Sequence, residues 1–518
     1  MGERFKNFIY KNYLLITIIL YSLIFFILLP FFLRFSNPDG INLINIAKKY
    51  LSGNFRLAIN GYWSPLISIL GIPFLIIFKD GFLAFKILSF FIGLFSIFSF
   101  DRFLKKLNIE SKYSKLLFIL ILPIVSAEFS LVKITSDFLV TVFFILLLSF
   151  FVDEEFFNKK YSFLILGFIG FLTYLSKTYG FFFFLGFLLF FFLLYLVKKD
   201  FVKLKNIIFT GLFFIFLSSF WIILISSKYG YFTIGTTGKY NYNCHFTVDT
   251  LNVKKVYSRP LPTPDSLSTW YFDDPSFIHL PDVTFKMIKE NSGYYVRRIF
   301  IGTLVTLRSI LSFTIFLPLI IIFSIPLFFK KEKRLKLLII LIASFFSFIG
   351  YLPIYCERRY IIINFYLISS LFLIVLEYLK YNDNIKKLIF IFVLLSFLLN
   401  PSYDFSKYFY LQKYKYNFFY NFYLNLKGLN LSGNIVANKP NTALMQYCSY
   451  YLNLRYYWVL RCQKDKKEFF DDLKKYNISY YFYYGNGHSC FDSTQLVYET
   501  FLDYKDFNES LKIYKVDK

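Results

Sequence analysis

The chain has 518 residues, of which 57% are hydrophobic and 17% are charged, whereas soluble domains carry about 25% charged residues. Apolar runs of about 18 residues or more recur, which excludes a soluble globular protein and indicates a polytopic membrane protein. The net charge of +26 comes from basic residues in short loops between apolar runs, so it indicates membrane orientation and anionic lipid rather than nucleic acid as the partner.

The apolar runs predict an all-α membrane domain with about eleven transmembrane helices. The first run is too long for a signal-peptide core and has no small-residue cleavage site, so we expect it to be retained. The predicted spans lie near residues 13–33, 82–100, 114–127, 135–152, 161–176, 179–197, 206–226, 299–328, 336–354, 360–379 and 386–400.

The orientation of these spans depends on the segment 63–78, which is short for a span and is interrupted by Pro65 and Pro73. If this segment does not cross the membrane, all the Lys/Arg-rich loops fall on the same side as the N-terminus, as the positive-inside rule requires. We therefore predict an interfacial or re-entrant helix at 63–78, a cytoplasmic N-terminus and a multi-pass protein of the cell membrane.

The predicted outer face collects several loops and the C-terminal part of the chain. A first outer loop at 36–81 and a large outer loop at 227–297 belong to a membrane domain that covers residues 1–400. Residues 401–518 alternate short strand and helix patterns, which predicts a small extracytoplasmic α/β domain. The strands are expected at 434–437, 455–460, 479–484 and 511–516, and the helices at 441–452 and 466–476.

The five cysteines form no CxxC pair, and the three histidines are widely spaced, so we expect no zinc site. Cys448, Cys462 and Cys490 lie in the C-terminal domain and can pair in an oxidising compartment. The sequence does not select the pair.

Asp39 is the candidate catalytic base, because it places a carboxylate in the loop after the first span. The same residue precedes Gly-Ile-Asn-Leu, and Gly53 follows at the end of the predicted helix, so Asp39 is also a good helix cap. The two roles are compatible.

Three further charged side chains are predicted to bind substrate. Glu128 and Asp137 flank the second outer turn at the edges of spans, where a carboxylate is costly unless it is solvated or paired. Lys177 lies between two closely spaced spans. The structural alternatives are a pair with Lys133 for the carboxylates and snorkelling to the interface for Lys177.

Glu357, Arg358 and Arg359 lie in a very short outer turn, where the positive-inside rule disfavours arginine. Guanidinium groups bind phosphate oxygens in bidentate fashion, so this turn is a candidate phosphate site. A structural Arg–Glu pair is the alternative.

The order of these parts resembles the membrane-embedded GT-C glycosyltransferase superfamily, and more specifically the branch of the protein O-mannosyltransferases and the lipid A aminoarabinose transferase. The resemblance covers about residues 1–400 and rests on order and topology. Its elements in this chain are Asn37-Pro38-Asp39-Gly40, Trp63-Ser64-Pro65-Leu66, the span entry Phe82 to Ser89 with Lys86, Glu128 with Ser136-Asp137, Lys177, and Glu357-Arg358-Arg359-Tyr360.

This resemblance implies a GT-C-like fold with outer juxtamembrane helices and Asp39 as the base or acceptor ligand. It implies a polyprenyl-phosphate-linked sugar as donor and an inverting displacement with an oxocarbenium-like transition state. The acceptor hydroxyl can belong to a glycan, a lipid or a protein. Because Asp39 has no second acid beside it in the first loop, we expect no cofactor and no essential metal.

Two other classes of protein are alternatives. A transporter of lipid-linked glycans or polysaccharide would favour mid-span charges and paired repeats, whereas the carboxylates here lie at span edges. An O-antigen-type polymerase or ligase also uses large outer loops and arginine pairs. The segment 268–275 in the large outer loop, rich in aromatic and hydroxyl side chains, is a candidate sugar-binding element or lid. Its alternative is an ordered loop that packs on its own aromatic residues.

Overall fold

The computed structural model describes residues 2–34, 37–440, 442–462, 466–485, 490–504 and 507–516. The chain forms two compact units. The first contains Met1–Leu33, Ser64–Gly235 and Ile288–Lys407. The second contains Arg34–Trp63, Thr236–Met287 and Tyr408–Lys518.

Helices dominate the described chain. In its first half they are α1 (Gly2–Lys11), α2 (Tyr13–Phe32), α3 (Pro38–Leu51), α4 (Phe55–Ala58), α5 (Leu66–Phe78), α6 (Gly81–Lys106), α7 (Lys112–Leu120), α8 (Leu122–Leu131), α9 (Ser136–Phe151), α10 (Ser162–Ser176), α11 (Tyr179–Val197) and α12 (Phe201–Tyr229). In its second half they are α13 (Thr237–His245), α14 (Thr250–Val256), α15 (Phe285–Glu290), α16 (Ser292–Leu311), α17 (Leu317–Ser324), α18 (Lys331–Phe348), α19 (Ile363–Tyr378), α20 (Asp383–Leu411), α21 (Asn417–Lys427), α22 (Thr442–Leu452) and α23 (Lys466–Lys475).

Seven helical stretches among the described residues are long and apolar enough to cross a membrane. Several begin at a polar cap that satisfies an otherwise unpaired backbone N–H group. The Asp80 carboxylate accepts from the N–H of Leu83 at the start of α6, and the Ser111 hydroxyl accepts from the N–H of Ser114 at the start of α7. Gly230 ends α12 with φ +77°, a conformation that glycine adopts without strain.

The predicted span at 299–328 differs from the structure. There the chain forms two helices, α16 and α17, with an interruption between Leu311 and Leu317. Pro318 lies at the start of α17, where its missing N–H group costs nothing, and the Asn400 side chain donates to the Ser312 carbonyl. The other ten predicted spans each correspond to helical structure, although α7 and α8 meet at a break at Ile121.

The segment predicted as an interfacial or re-entrant helix is α5. It has 13 residues with Pro73 inside, so it is about 20 Å long, against a hydrocarbon thickness of about 30 Å. It packs on α6 within the first unit. Its position in the membrane, and with it the predicted orientation, stays a prediction.

The C-terminal part of the second unit contains a five-stranded sheet with the strand order β2-β1-β3-β5-β4. The strands are β1 (Asn434–Ala437), β2 (Arg455–Val459), β3 (Ile478–Tyr484), β4 (Leu496–Tyr504) and β5 (Phe507–Lys515). The first three strands are parallel, and β5 pairs antiparallel with both β3 and β4. Four of these strands were predicted, and β4 was not.

The outer edge of β2 is covered by the large loop of the same unit. The N–H of Tyr456 donates to the Thr269 carbonyl, and the N–H of Leu261 donates to the Tyr457 carbonyl, both at 2.8 Å. Loop residues thus satisfy backbone groups that an open strand edge would expose.

A disulfide joins Cys462 to Cys490 across the core of the sheet domain, and Cys448 is a free buried thiol. The structure therefore selects the pair that the sequence leaves open. The predicted fold class, a polytopic helical membrane protein with a small C-terminal α/β domain, is confirmed.

Candidate active site

Eight ionisable side chains of the first unit lie together, and we call them the charged cluster. They lie at or beside the ends of α8, α9, α10 and α19 and within α20. The members are Lys133, Lys177, Arg358 and Arg359 with Glu128, Asp137, Glu357 and Asp404. All six residues predicted to bind substrate in this unit belong to the cluster. Consecutive antiparallel helices bring their connecting turns to one end of a bundle, which explains why these turns meet.

Arg358 organises one half of the cluster. Its Nη1 atom lies 2.8 Å from Glu128 Oε1 and 2.8 Å from Asp404 Oδ2, and its Nη2 atom donates to Glu128 Oε2 at 3.3 Å. The Glu128 side chain is only 3% exposed. One guanidinium thus serves two carboxylates, and the planar fork of arginine suits this geometry better than the lysine ammonium does.

Asp137 organises the other half. Its Oδ1 atom pairs with Lys177 Nζ at 2.5 Å, and its Oδ2 atom lies 3.8 Å from Arg359 Nε. Arg359 Nε also donates to Glu357 Oε2 at 2.8 Å, and Lys133 Nζ lies 3.8 Å from the same oxygen. Lys177 is therefore held by an ion pair instead of snorkelling, and Lys133 pairs with Glu357 instead of the carboxylates expected from the sequence.

Aromatic rings line this second half. Lys177 Nζ lies 4.2 Å from the ring centre of Tyr360 and 5.3 Å from that of Tyr351. The two rings stack at 5.0 Å, and Tyr179 lies 4.8 Å from Tyr351. Cation–π contacts of this kind stabilise a partly desolvated ammonium.

Asp404 is the member that the sequence did not predict. Pro401 indicated the end of the last span, since proline removes a helical hydrogen bond, but α20 continues through it to Leu411. The carboxylate of Asp404 therefore belongs to a helix of the first unit, where it contacts Arg358.

Asp39 belongs to the second unit, at the start of α3. The expectation that it caps this helix is wrong. Asn37 occupies the N-cap position with extended backbone angles, and Pro38 takes the first helical position, where its fixed φ is favourable. Asp39 is thus the second helical residue and is half-buried. Its predicted catalytic role stays a prediction.

The rest of α3 presents a buried polar face to the large loop. Asn45 Nδ2 donates to Thr269 Oγ1 at 2.8 Å and lies 3.3 Å from both carboxylate oxygens of Asp273. Lys49 Nζ lies 2.7 Å from Asp265 Oδ2 and 2.7 Å from Ser268 Oγ. These bonds fix α3 within its unit, because each polar group is buried and needs its partner.

The segment 268–275 is therefore part of the core of the second unit. Trp270 and Tyr271 are buried, and Asp273 is fully buried. Burial raises the pKa of Asp273 to about 6, although Lys49 and the N–H of Thr269 favour its charged form. The structure favours the alternative of an ordered, packed loop over a sugar-binding element with exposed aromatic side chains.

Within the described ranges, no three His, Cys, Asp or Glu side chains are grouped so that they could hold a metal ion. The charged cluster contains four carboxylates, but arginine or lysine nitrogens contact each of them. The expectation of no essential metal stays a prediction.

Among solved structures, the chain is similar to the oligosaccharyltransferase of Archaeoglobus fulgidus, crystallised with an acceptor peptide that contains the NVT sequon and is tethered through a disulfide bond. The TM-score is 0.48 and the sequence identity is 11%, over 92% of this chain and 69% of that chain. No family model and no curated protein matches the sequence. At this identity and TM-score, the similarity indicates no substrate, acceptor or mechanism for this chain.

Proposed function

We propose that the protein is an integral-membrane glycosyltransferase that moves a sugar from a polyprenyl-phosphate-linked donor to an acceptor hydroxyl. The observation that carries this proposal is the charged cluster. Ionisable side chains that are buried in a membrane domain are costly unless they are paired, and they often mark a functional site. Here turns that are distant in the sequence contribute eight of them to one place.

The charged cluster is formally neutral as a whole, with four cations and four carboxylates, but the distribution of charge within it supports a phosphate subsite in its second half. Its second half contains three cations, Lys133, Lys177 and Arg359, and two carboxylates, Asp137 and Glu357. One formal positive charge therefore remains in this half. Such a charge can stabilise the phosphate of a departing lipid carrier, and the effect is strongest where water is excluded.

Asp39 is the proposed base. The acceptor oxygen attacks the anomeric carbon, the bond from that carbon to the phosphate oxygen breaks, and the acceptor proton passes to the Asp39 carboxylate. The lipid phosphate leaves with the bonding electron pair, and a single displacement inverts the anomeric centre. The order of parts that resembles the GT-C superfamily supports this role for Asp39.

The proposed location is the outer face of the cell membrane. The Cys462–Cys490 disulfide supports it, since stable disulfides form in oxidising compartments. Chelation of divalent metals is expected to leave sugar transfer unchanged.

The test is transfer of labelled sugar from polyprenyl-phosphate donors by the purified protein reconstituted in lipid vesicles, with a membrane extract of cells that lack the protein as the source of acceptors. Asp39→Asn is expected to fold and to lose transfer by about 100-fold or more, since a general base contributes about 10²–10⁴-fold. The matched control is Asp80→Asn, because asparagine also caps a helix, so α6 keeps its cap and activity is unchanged.

Full activity in Asp39→Asn would overturn the catalytic assignment. Uptake of labelled donor into vesicles without labelled acceptor would overturn the enzyme proposal and support the transport alternative.

A further inference from the structure

The first turn of α3 is held by two neighbouring residues of α22 in the C-terminal part of the chain. Gln446 Nε2 donates to the carbonyl oxygen of Pro38 at 3.0 Å. The Tyr447 hydroxyl donates to the carbonyl oxygen of Arg34 at 3.0 Å. Gln446 is fully buried and Tyr447 is buried, so α22 binds two backbone carbonyls on the N-terminal side of Asp39, one of them in the residue directly before it.

The bond from Gln446 acts on the peptide group next to Asp39. The Pro38 carbonyl and the Asp39 nitrogen belong to one planar peptide unit. A hydrogen bond to that oxygen therefore limits rotation of this peptide plane, which includes the Asp39 Cα atom. The orientation of the Asp39 carboxylate depends directly on this plane.

A second contact connects Gln446 to the same helix one turn later. Asn42 Oδ1 accepts from Trp270 Nε1 at 2.5 Å, and it lies 3.4 Å from Gln446 Nε2. Asn42 is fully buried. Gln446 thus contacts both the Pro38 carbonyl and the Asn42 side chain, and Asn42 is held in turn by Trp270 of the large loop.

Stability does not explain a glutamine at this position. Over the described residues, Gln446 Oε1 and Asn42 Nδ2 have no hydrogen-bond partner although both are buried. A buried polar atom without a partner costs free energy, and an apolar side chain of the same shape would avoid that cost. Of the two side-chain hydrogen bonds that Gln446 makes within the described part of the chain, the shorter one goes to the Pro38 carbonyl.

We propose that Gln446 is a positioning residue for Asp39, and that the C-terminal α/β domain therefore takes part in catalysis through α22. This inference rests on the proposed function, in which Asp39 is the base. It assigns to Gln446 the orientation of the Asp39 carboxylate and no contact with substrate.

The test compares Gln446→Met with Gln495→Met, a control in the same domain outside this contact. Gln446→Met is expected to lower kcat by about tenfold or more with KM unchanged, since small misplacements of a catalytic group cost up to about 10²-fold. Amide hydrogen exchange of residues 41–45 is expected to accelerate, because in an α-helix the Pro38 carbonyl is also the acceptor for the N–H of Asn42, in the first turn. The control is expected to change neither quantity.

Gln446→Glu supplies a rescue experiment and replaces Gln446→Met if that variant does not fold. The ionised carboxylate cannot donate to the Pro38 carbonyl, whereas the protonated form can. The kcat of this variant, relative to the wild type at each pH, is expected to recover as the pH falls. A purely structural role would produce no such recovery.

The outcomes separate the two proposals. If Asp39→Asn keeps full activity, the assignment of Asp39 as the base fails, whatever Gln446 does. If Asp39→Asn is inactive but Gln446→Met keeps the wild-type kcat, or if Gln446→Glu shows no recovery at low pH, the positioning role is overturned and the proposed function remains.

Discussion

Arg358 illustrates what single residues allow the sequence to predict. An arginine in a short outer turn is unusual enough to indicate a special role, and the structure places it between two carboxylates. One of them, Glu128, was a candidate because it lies at a span edge. The other, Asp404, gave no signal, since a single aspartate after a proline is common in loops. The sequence thus indicates that Arg358 needs a carboxylate partner. Which carboxylates contact it depends on where the helices end, and the sequence does not show this.

Asp273 gives a prediction at the residue scale, because burial raises its pKa to about 6 from an ordinary value of 3.8. The folded state therefore holds this proton more tightly than the unfolded state. The resulting stabilisation is complete below about pH 3.8 and is lost as the pH rises through about 6. Between about pH 4.5 and 7.5, the wild type is expected to lose about 2 kcal/mol more unfolding free energy than Asp273→Asn.

The measurement is chemical denaturation of the second unit at both pH values, followed by tryptophan fluorescence. Only the difference between the two proteins matters, because other groups titrate equally in both. Parallel pH dependences for wild type and variant would show that Asp273 does not titrate in this range.

At the scale of elements, the length of each apolar run predicted most membrane helices. It failed where a helix breaks inside an apolar run. The interruption between α16 and α17 lies inside one long apolar run, so hydropathy alone could not reveal it. Pro401 had the opposite effect, since it indicated an end to a helix that continues. Strand β4 was missed because its alternation of apolar and polar residues is weak, although it pairs antiparallel with β5, the next strand in the sequence.

Two glycines of α16 allow a matched test of helix packing. A Cβ atom at Gly302 would collide with the backbone carbonyl of Leu352, whereas one at Gly293 would meet no atom within 4 Å. Gly302→Ala is expected to destabilise the first unit by about 1–3 kcal/mol. Gly293→Ala is expected to stabilise it by up to about 1 kcal/mol, because alanine favours the helix.

Thermal unfolding of both variants in the same lipid environment measures this difference. Equal midpoints for the two variants would mean that α16 shifts away from Leu352 without cost.

At the scale of the whole molecule, the second unit is discontinuous in sequence. It combines a segment after the first predicted span, most of the large loop at 227–297 and the C-terminal part of the chain. Periodicity predicts each piece separately, but the hydrogen bonds that join α3 to the loop are made by polar side chains with no sequence pattern. Among the described residues of this unit, the sequence therefore predicted four of the five strands and the helices α3, α22 and α23, and not the association of its three segments.

The Cys462–Cys490 disulfide closes a loop with a sequence separation of 28 residues. In the chain-entropy account, such a bond stabilises the folded state by about 3.6 kcal/mol. The double variant C462S/C490S is expected to lose about this amount, measured as faster amide exchange in β3 and β5. Dithiothreitol should have the same effect on the wild type and none on the double variant. A wild type that does not respond to dithiothreitol, although reduction is verified, would contradict the prediction.

The discontinuity of the second unit also has a consequence in time. Ribosomes add about 5–20 residues per second, and about 120 residues separate Met287 from Tyr408. Synthesis of the large loop therefore ends on the order of 10 seconds before synthesis of β1 and β2 begins. During that interval Trp270 and Tyr271 have no sheet to pack against, so their burial in a newly made chain is completed only after the C-terminal strands have been synthesised.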